Sequence, residues 1–87
     1  MSEEKLVARV RELLCGTGVA RDAVEKAGVE QNLFEAGLMD SIAIVGLVFK
    51  LEEEFGVRFP TTDFEPQHFN TIGGIARLVA KRLPAKN

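Results

Sequence analysis

The sequence predicts an all-α fold: a small bundle of three main helices, a short helix between the last two, and a long loop after the first. Three observations carry this. Apolar residues recur at one-face helical spacing in three separate segments, no segment alternates convincingly as a strand would, and glycines and prolines fall between the periodic segments. With 87 residues the chain can bury one hydrophobic core and not two, so a single domain over residues 1–87, with its core at about 3–83, is expected.

The first helix is expected over residues 3–15. Leu6, Val7, Val10, Leu13 and Leu14 share a face, and Glu3, Glu4, Arg9, Arg11 and Glu12 fill the other side. Gly16-Thr17-Gly18 ends it, because glycine supplies the backbone freedom a helix terminus needs. The long loop runs from there to Asp40, with a helical turn expected at 22–27 and with Gly28 and Gly37 as punctuation. A connection this long in a small domain is functional or anchored by its own side chains, and Leu33, Phe34 and Leu38 are the expected anchors. The second helix starts at Ser41 with Asp40 as N-cap and runs to Phe55, where Gly56 stops it. Phe59-Pro60 closes the next link, and residues 61–69 hold short helical pieces, one of them opened by Pro66. Thr71 caps a final helix whose core face is Ile72, Ile75, Ala76, Val79 and Leu83, and Pro84 ends it.

The second helix is the most informative element. At ~100° per residue, Ile44, Leu47, Val48, Leu51 and Phe55 form one core stripe. Ile42, Val45 and Phe49 lie roughly 140° round the wheel from it, beside Gly46 and Glu53, and make a second apolar stripe. That stripe has two explanations. Either it is offered to a partner, or the segment around Phe64 or the long loop covers it.

Composition excludes several function classes. Apolar residues make up 46% of the chain and charged residues 28%, yet no apolar run reaches the ~18 residues of a membrane span. The first residues lack the basic and apolar regions of a secretory signal, no lipidation motif is seen, and a cytoplasmic setting is expected. A net charge of −2 argues against nucleic acid as a partner. Cys15 is the only cysteine, so no internal disulfide or thiolate cluster can form, and its place beside Leu13 and Leu14 suits a packed small hydrophobe. His68 is the only histidine, with no nearby acid, cysteine or second histidine to complete a catalytic or metal set.

Gly37-Leu38-Met39-Asp40-Ser41 brings a serine to the head of a helix at the end of the loop. A helix N-terminus has free N–H groups and partial positive charge, so a phosphodiester on that serine is electrostatically tolerated. The Asp40 carboxylate can contribute to a magnesium site in a modifying enzyme.

The run from Asn32 to Ile42 (NLFEAGLMDSI) resembles the phosphopantetheine attachment region of acyl carrier and peptidyl carrier proteins. Leu51-Glu52-Glu53-Glu54-Phe55-Gly56-Val57 with Phe59-Pro60 is similar to the end of that family's second helix, and Phe69-Asn70-Thr71-Ile72 with Ile75-Ala76 to its last helix. The resemblance implies that a phosphopantetheinyl transferase moves 4′-phosphopantetheine from coenzyme A to Ser41, with Asp40 as the acidic residue for transferase recognition and magnesium. It implies a carrier, not an enzyme, whose arm thiol holds acyl or aminoacyl cargo as a thioester. The partners it implies are that transferase, a loading ligase or acyltransferase, and a downstream synthase or transferase, met by a monomer. Partner recognition maps to Ile42, Val45, Gly46, Phe49 and Glu53.

The chain departs from fatty-acid-synthesis carriers in having Ala43 and Gly46 where acids are usual and in adding Lys50, which leaves Glu52, Glu53 and Glu54 as its acidic stripe. Residues 62–71 look more like freestanding carriers of specialised pathways, including D-alanyl and other aminoacyl carriers and those of polyketide or nonribosomal peptide assembly. A housekeeping fatty acid carrier is the alternative, and an unmodified helical interaction module is another. A small hydrolytic enzyme finds little support, since a Ser41 nucleophile would need His68 as base and no oxyanion-forming glycine motif accompanies it.

Overall fold

A computed structural model describes residues 2–83, and those residues are all helix, turn and loop. α1 (Glu3–Cys15), α2 (Arg21–Lys26), α3 (Ser41–Phe55), α4 (Pro66–Phe69) and α5 (Ile72–Arg82) follow in order, with a 3₁₀ turn (Thr61–Asp63) before α4. The stop expected at Pro84 lies outside the described residues.

α1 begins at Ser2, whose hydroxyl accepts from the Lys5 N–H at 3.3 Å, and its acidic first turn, Glu3 and Glu4, suits the positive end of the helix dipole. Leu6, Val10 and Leu14 are buried, and Val7, Leu13 and Cys15 pack half-buried beside them. α1 packs most extensively against α5, where Ile72, Ile75, Ala76, Leu78 and Val79 are buried and Leu83 is half-buried. The helix ends at Cys15 as expected. Gly16 remains right-handed at the cap, and the left-handed residue is Gly18, with φ 97°.

The helical turn expected at 22–27 is a full short helix, α2. Two contacts with α1 hold it. Val24 is buried, and the Arg11 guanidinium donates to the carbonyls of Val24 (2.6 Å), which also accepts the Ala27 N–H at 3.3 Å, and of Ala27 (2.8 Å) at the C-terminal end of the helix. Arg21 also reaches back to Glu12 at 3.0 Å, and that hydrogen bond holds the Glu12 carboxyl below its ordinary pKa.

The rest of the loop is anchored as expected by Leu33, which is buried, and by Phe34 and Leu38, which are half-buried; Met39 is buried as well. Its backbone is tied to the junction of α4 and α5. The Leu33 N–H donates to the Asn70 carbonyl at 2.7 Å, and the Gly73 N–H to the Val29 carbonyl at 2.8 Å. The second bond satisfies a first-turn N–H of α5, and Thr71 satisfies another by accepting from Gly74 at 2.8 Å.

α3 buries Ile44, Leu47, Val48 and Leu51 and half-buries Phe55; Gly56, at φ 66°, closes it in the left-handed conformation. The connection to α5 splits into the 3₁₀ turn and α4, which Pro66 opens and Phe69 plugs into the core. Asp63 is the buried charged residue among those described, 6% exposed, and Arg82 grips both of its oxygens at 2.8 and 3.0 Å.

Two glycines make opposite demands. Gly46 sits mid-helix with no atom within 4 Å of a would-be Cβ, so Gly46→Ala should raise stability by about 0.5–1 kcal/mol. At Gly73 a Cβ would stand 2.7 Å from Val29 Cγ1 and 2.6 Å from Glu30 Oε2. The Glu30 tip can move aside, but Val29 is stiff and its carbonyl is bonded to Gly73 itself. Gly73→Ala should therefore cost about 1–3 kcal/mol. Urea midpoints at unchanged m-value measure both, and a shift of the same sign in the two variants would contradict this packing.

Candidate functional site

Ser41 is the first residue of α3 and is exposed. Two residues earlier Met39 is buried, and the Leu38 N–H donates to the Leu33 carbonyl at 2.8 Å, so the loop reaches the helix from a fixed direction. Asp40 is extended (φ −146°, ψ 178°), and its Oδ1 accepts from the Ala43 N–H at 2.7 Å. This is the N-cap that the sequence predicts. The first regular helical bond runs from the Ile44 N–H to the Asp40 carbonyl. The Ser41 and Ile42 N–H groups therefore remain without an intrahelical acceptor at the positive end of a helix of 15 residues.

Along the helix, the second apolar stripe is exposed. Ile42 is 84%, Val45 44% and Phe49 66% exposed, and these three are the exposed large hydrophobic residues of the described chain. Phe64 packs against the core and leaves the stripe open, as does the loop. Glu53 is exposed beside it, and Gly46 is half-buried.

The charges around this stripe differ from the expected acidic patch. Glu52 Oε2 accepts the Phe59 N–H at 2.9 Å and so holds the chain leaving α3. Glu54 pairs with Arg9 on α1 at 2.9 Å. Of the three consecutive acids, Glu53 alone has no partner among the described residues. Sequence inspection missed these pairings because Glu52–Phe59 and Glu54–Arg9 are formed by the tertiary fold. His68 is half-buried in α4, where its Nδ1–H donates to the Asp63 carbonyl at 3.1 Å.

A cleft of about 400 Å³ opens beside the head of α3. Residues 17–19 and 37–40 form two of its walls, and Ile42, Ala43, Gly46 and Lys50 form the third. Gly18 and Gly37, both with positive φ, turn the two loop walls.

Residues 7–79 match the family described as the phosphopantetheine attachment site. The chain belongs to that family. It is 32% identical over 71 residues to the D-alanyl carrier protein of Lacticaseibacillus casei (strain BL23), a match spanning 82% of this chain and 85% of the relative. The D-alanyl carrier protein of Lacticaseibacillus rhamnosus matches to the same extent. That of Streptococcus sanguinis (strain SK36) is 34% identical over 53 residues, 61% of this chain and 67% of the relative. Membership implies a carrier function and a covalently attached 4′-phosphopantetheine. The head of α3 fits such a group: an exposed hydroxyl, two unpaired N–H groups and the helix dipole all face the place where a phosphodiester would stand. No helix among the described residues is long and apolar enough to cross a membrane.

Cap and charge at Asp40 are separable. Asp40→Ala should lower stability by about 1 kcal/mol, whereas Asp40→Asn, which keeps an accepting oxygen, should stay within a few tenths of a kcal/mol of the parent. Thermal or urea unfolding of the two variants reads the difference. Equal loss in both would mean that the carboxylate's charge, and not its cap bond, holds the helix start.

Proposed function

We propose that this chain is a freestanding carrier of a specialised pathway, bearing phosphopantetheine on Ser41 and holding an acyl or aminoacyl cargo for other enzymes. The observation that carries the reading is an exposed serine at the first position of α3, capped by Asp40, within a family match over residues 7–79. In the modifying step, Ser41 Oγ attacks the pantetheine-bearing phosphorus of coenzyme A. An O–P bond forms, the pyrophosphate link breaks, adenosine 3′,5′-bisphosphate leaves, and the serine proton passes to a base of the transferase. Asp40 is a single carboxylate, so it shares the magnesium ion with ligands of the transferase. The arm supplies a terminal thiol that takes cargo as a thioester, and the chain itself contributes no catalytic residue. The D-alanyl carrier relatives favour an aminoacyl cargo, activated by an adenylating ligase.

Ile42, Val45, Gly46, Phe49 and Glu53 are the proposed partner surface. Its composition supports docking by apolar contact. With Glu52 and Glu54 engaged within the chain, Glu53 is the acid left for a basic partner to read. Long-range attraction and salt sensitivity should be correspondingly small.

Incubation with coenzyme A, magnesium and a broad-specificity phosphopantetheinyl transferase should add one phosphopantetheine by intact mass, and Ser41→Ala should abolish the gain. Absence of the gain in the parent, or its survival in Ser41→Ala, would refute the assignment. The same assay tests the surface. Phe49→Ala should raise the transferase KM roughly tenfold, the size of a buried aromatic anchor. Shrinking the Debye length from about 10 Å to about 3 Å with salt should change KM by less than about tenfold. A steep salt dependence with little effect of Phe49→Ala would reverse the assignment to charge-led docking.

A further inference from the structure

We infer that the cleft beside Ser41 is the resting place of the pantetheine arm, which lies along the small-residue flank of α3 with Lys50 as donor to its amide carbonyls; this rests on Ser41 carrying the arm. Location is the first support. Asp40 and Ile42, the neighbours of Ser41 on either side, both line the cleft. Its volume of about 400 Å³ falls within the roughly 300–1,000 Å³ usual for small-molecule sites.

Shape is the second. Ala43, Gly46 and Lys50 fall within about 60° of one another on the α3 wheel, and the rise from Ser41 to Lys50 is about 13 Å. The trough therefore runs along the helix; Ser41 does not line it, so the arm enters over the helix head, past Asp40 and Ile42. Gly18 and Gly37 face it from the loops, and no atom stands within 4 Å of a would-be Cβ at Gly18, Gly37 or Gly46. At these three glycines the wall is bare backbone, open to close approach. Gly46 lowers helix stability by about 1 kcal/mol relative to alanine, and no neighbouring atom demands a glycine there. A longer side chain at 46 would stand in the trough.

Chemistry is the third. The Lys50 stem lies against Gly16 at the C-terminal end of α1, with Cε 3.4 Å and Nζ 3.5 Å from the site of a Gly16 Cβ, a position the α1 dipole favours for a cation. The ammonium has three donors and no hydrogen-bond or ion-pair partner among the described residues. A pantetheine arm offers two amide carbonyls and a pair of geminal methyls. The carbonyls suit Lys50, and the methyls suit Ile42 and the half-buried Leu38 at the head of the trough.

The flank chosen is specific. Val45 and Phe49 remain exposed on the next face and line no part of the cleft, so a parked arm leaves them clear and meets the proposed partner surface only at its edge, at Ile42 and Gly46.

The test uses the full chain, isotope-labelled, with the arm installed and confirmed by mass. Nuclear Overhauser contacts are expected from the arm's geminal methyls to Ile42, Leu38 and Ala43, with amide shift changes at Gly18, Gly37 and Gly46 relative to the unmodified protein. In Gly46→Leu the contacts and the shifts at Gly18 and Gly37 should vanish, while those at Asp40 and Ile42 persist. Lys50→Met, which keeps an unbranched helix-forming side chain at that position of α3, should weaken the same contacts and covers the case in which Gly46→Leu does not fold. Shift changes confined to the first turn of α3, or contacts to Val45 and Phe64 instead, would overturn the inference while leaving Ser41 as the attachment point. A protein that gains no mass would overturn the attachment reading and this inference with it.

Discussion

The site depends on how the loop between α2 and α3 is held, because that loop decides where α3 begins and which way its first turn faces. Two backbone bonds hold its middle against the α4–α5 junction, Leu33 N–H to Asn70 and Gly73 N–H to Val29. Leu33 and Met39 then sink into the core on either side of the half-buried Leu38. Loop backbone that turned away from water without such partners would leave polar groups unsatisfied, at roughly 1–3 kcal/mol each. Here the loop satisfies α5 and α5 satisfies the loop. The absence of a Cβ at Gly73 leaves room for the Val29 and Glu30 side chains that the loop lays against this turn of α5.

Once the loop is fixed, α3 divides into three sectors with different work. Ile44, Leu47, Val48 and Leu51 face the core, Ile42, Val45 and Phe49 face solvent, and Ala43, Gly46 and Lys50 face the cleft. The acids at the far end of the helix serve mainly to hold the fold. Glu52 fixes the exit by accepting from Phe59, and Glu54 ties the helix to α1 through Arg9. Exposed pairs such as Arg9–Glu54 contribute little to stability, typically below about 1 kcal/mol. Their effect on the electrostatic face is larger, since a carboxylate already beside a guanidinium projects little field toward a partner.

The parts legible in the sequence are those settled by local geometry. A cap bond spans three residues, so Asp40 to Ala43 and Thr71 to Gly74 follow from residue type and position. A wheel needs only the helical period, which is why the buried and exposed stripes of α3 separate without knowledge of any other element. Arg11 looked like a solvent-facing residue of α1, and its bonds to Val24 and Ala27 exist only because α2 docks against that helix. The Asp63–Arg82 pair and the tight fit at Gly73 likewise join segments brought together by topology. At the site, the serine, its cap and the second apolar stripe could be read from residue order, whereas the stripe's exposure depends on where the Phe64 segment and the loop pack. The cleft could not, since two of its three walls come from loop segments nearly twenty residues apart.

The physical logic of such a site favours rigidity in the platform and freedom in whatever is attached to it. Ser41 sits at a helix head whose direction is fixed by Met39, Asp40 and the clipped loop, so an attached chain departs from a constant point. Restricting that chain costs conformational entropy, and a shallow trough recovers only part of it through a few contacts. Weak retention is therefore the expected regime for a cleft of this openness and small-residue lining. A partner that covers Val45 and Phe49 then competes with the trough mainly for the arm, the two surfaces meeting only at Ile42 and Gly46. The neighbouring faces of one helix can in this way separate holding the arm from presenting it.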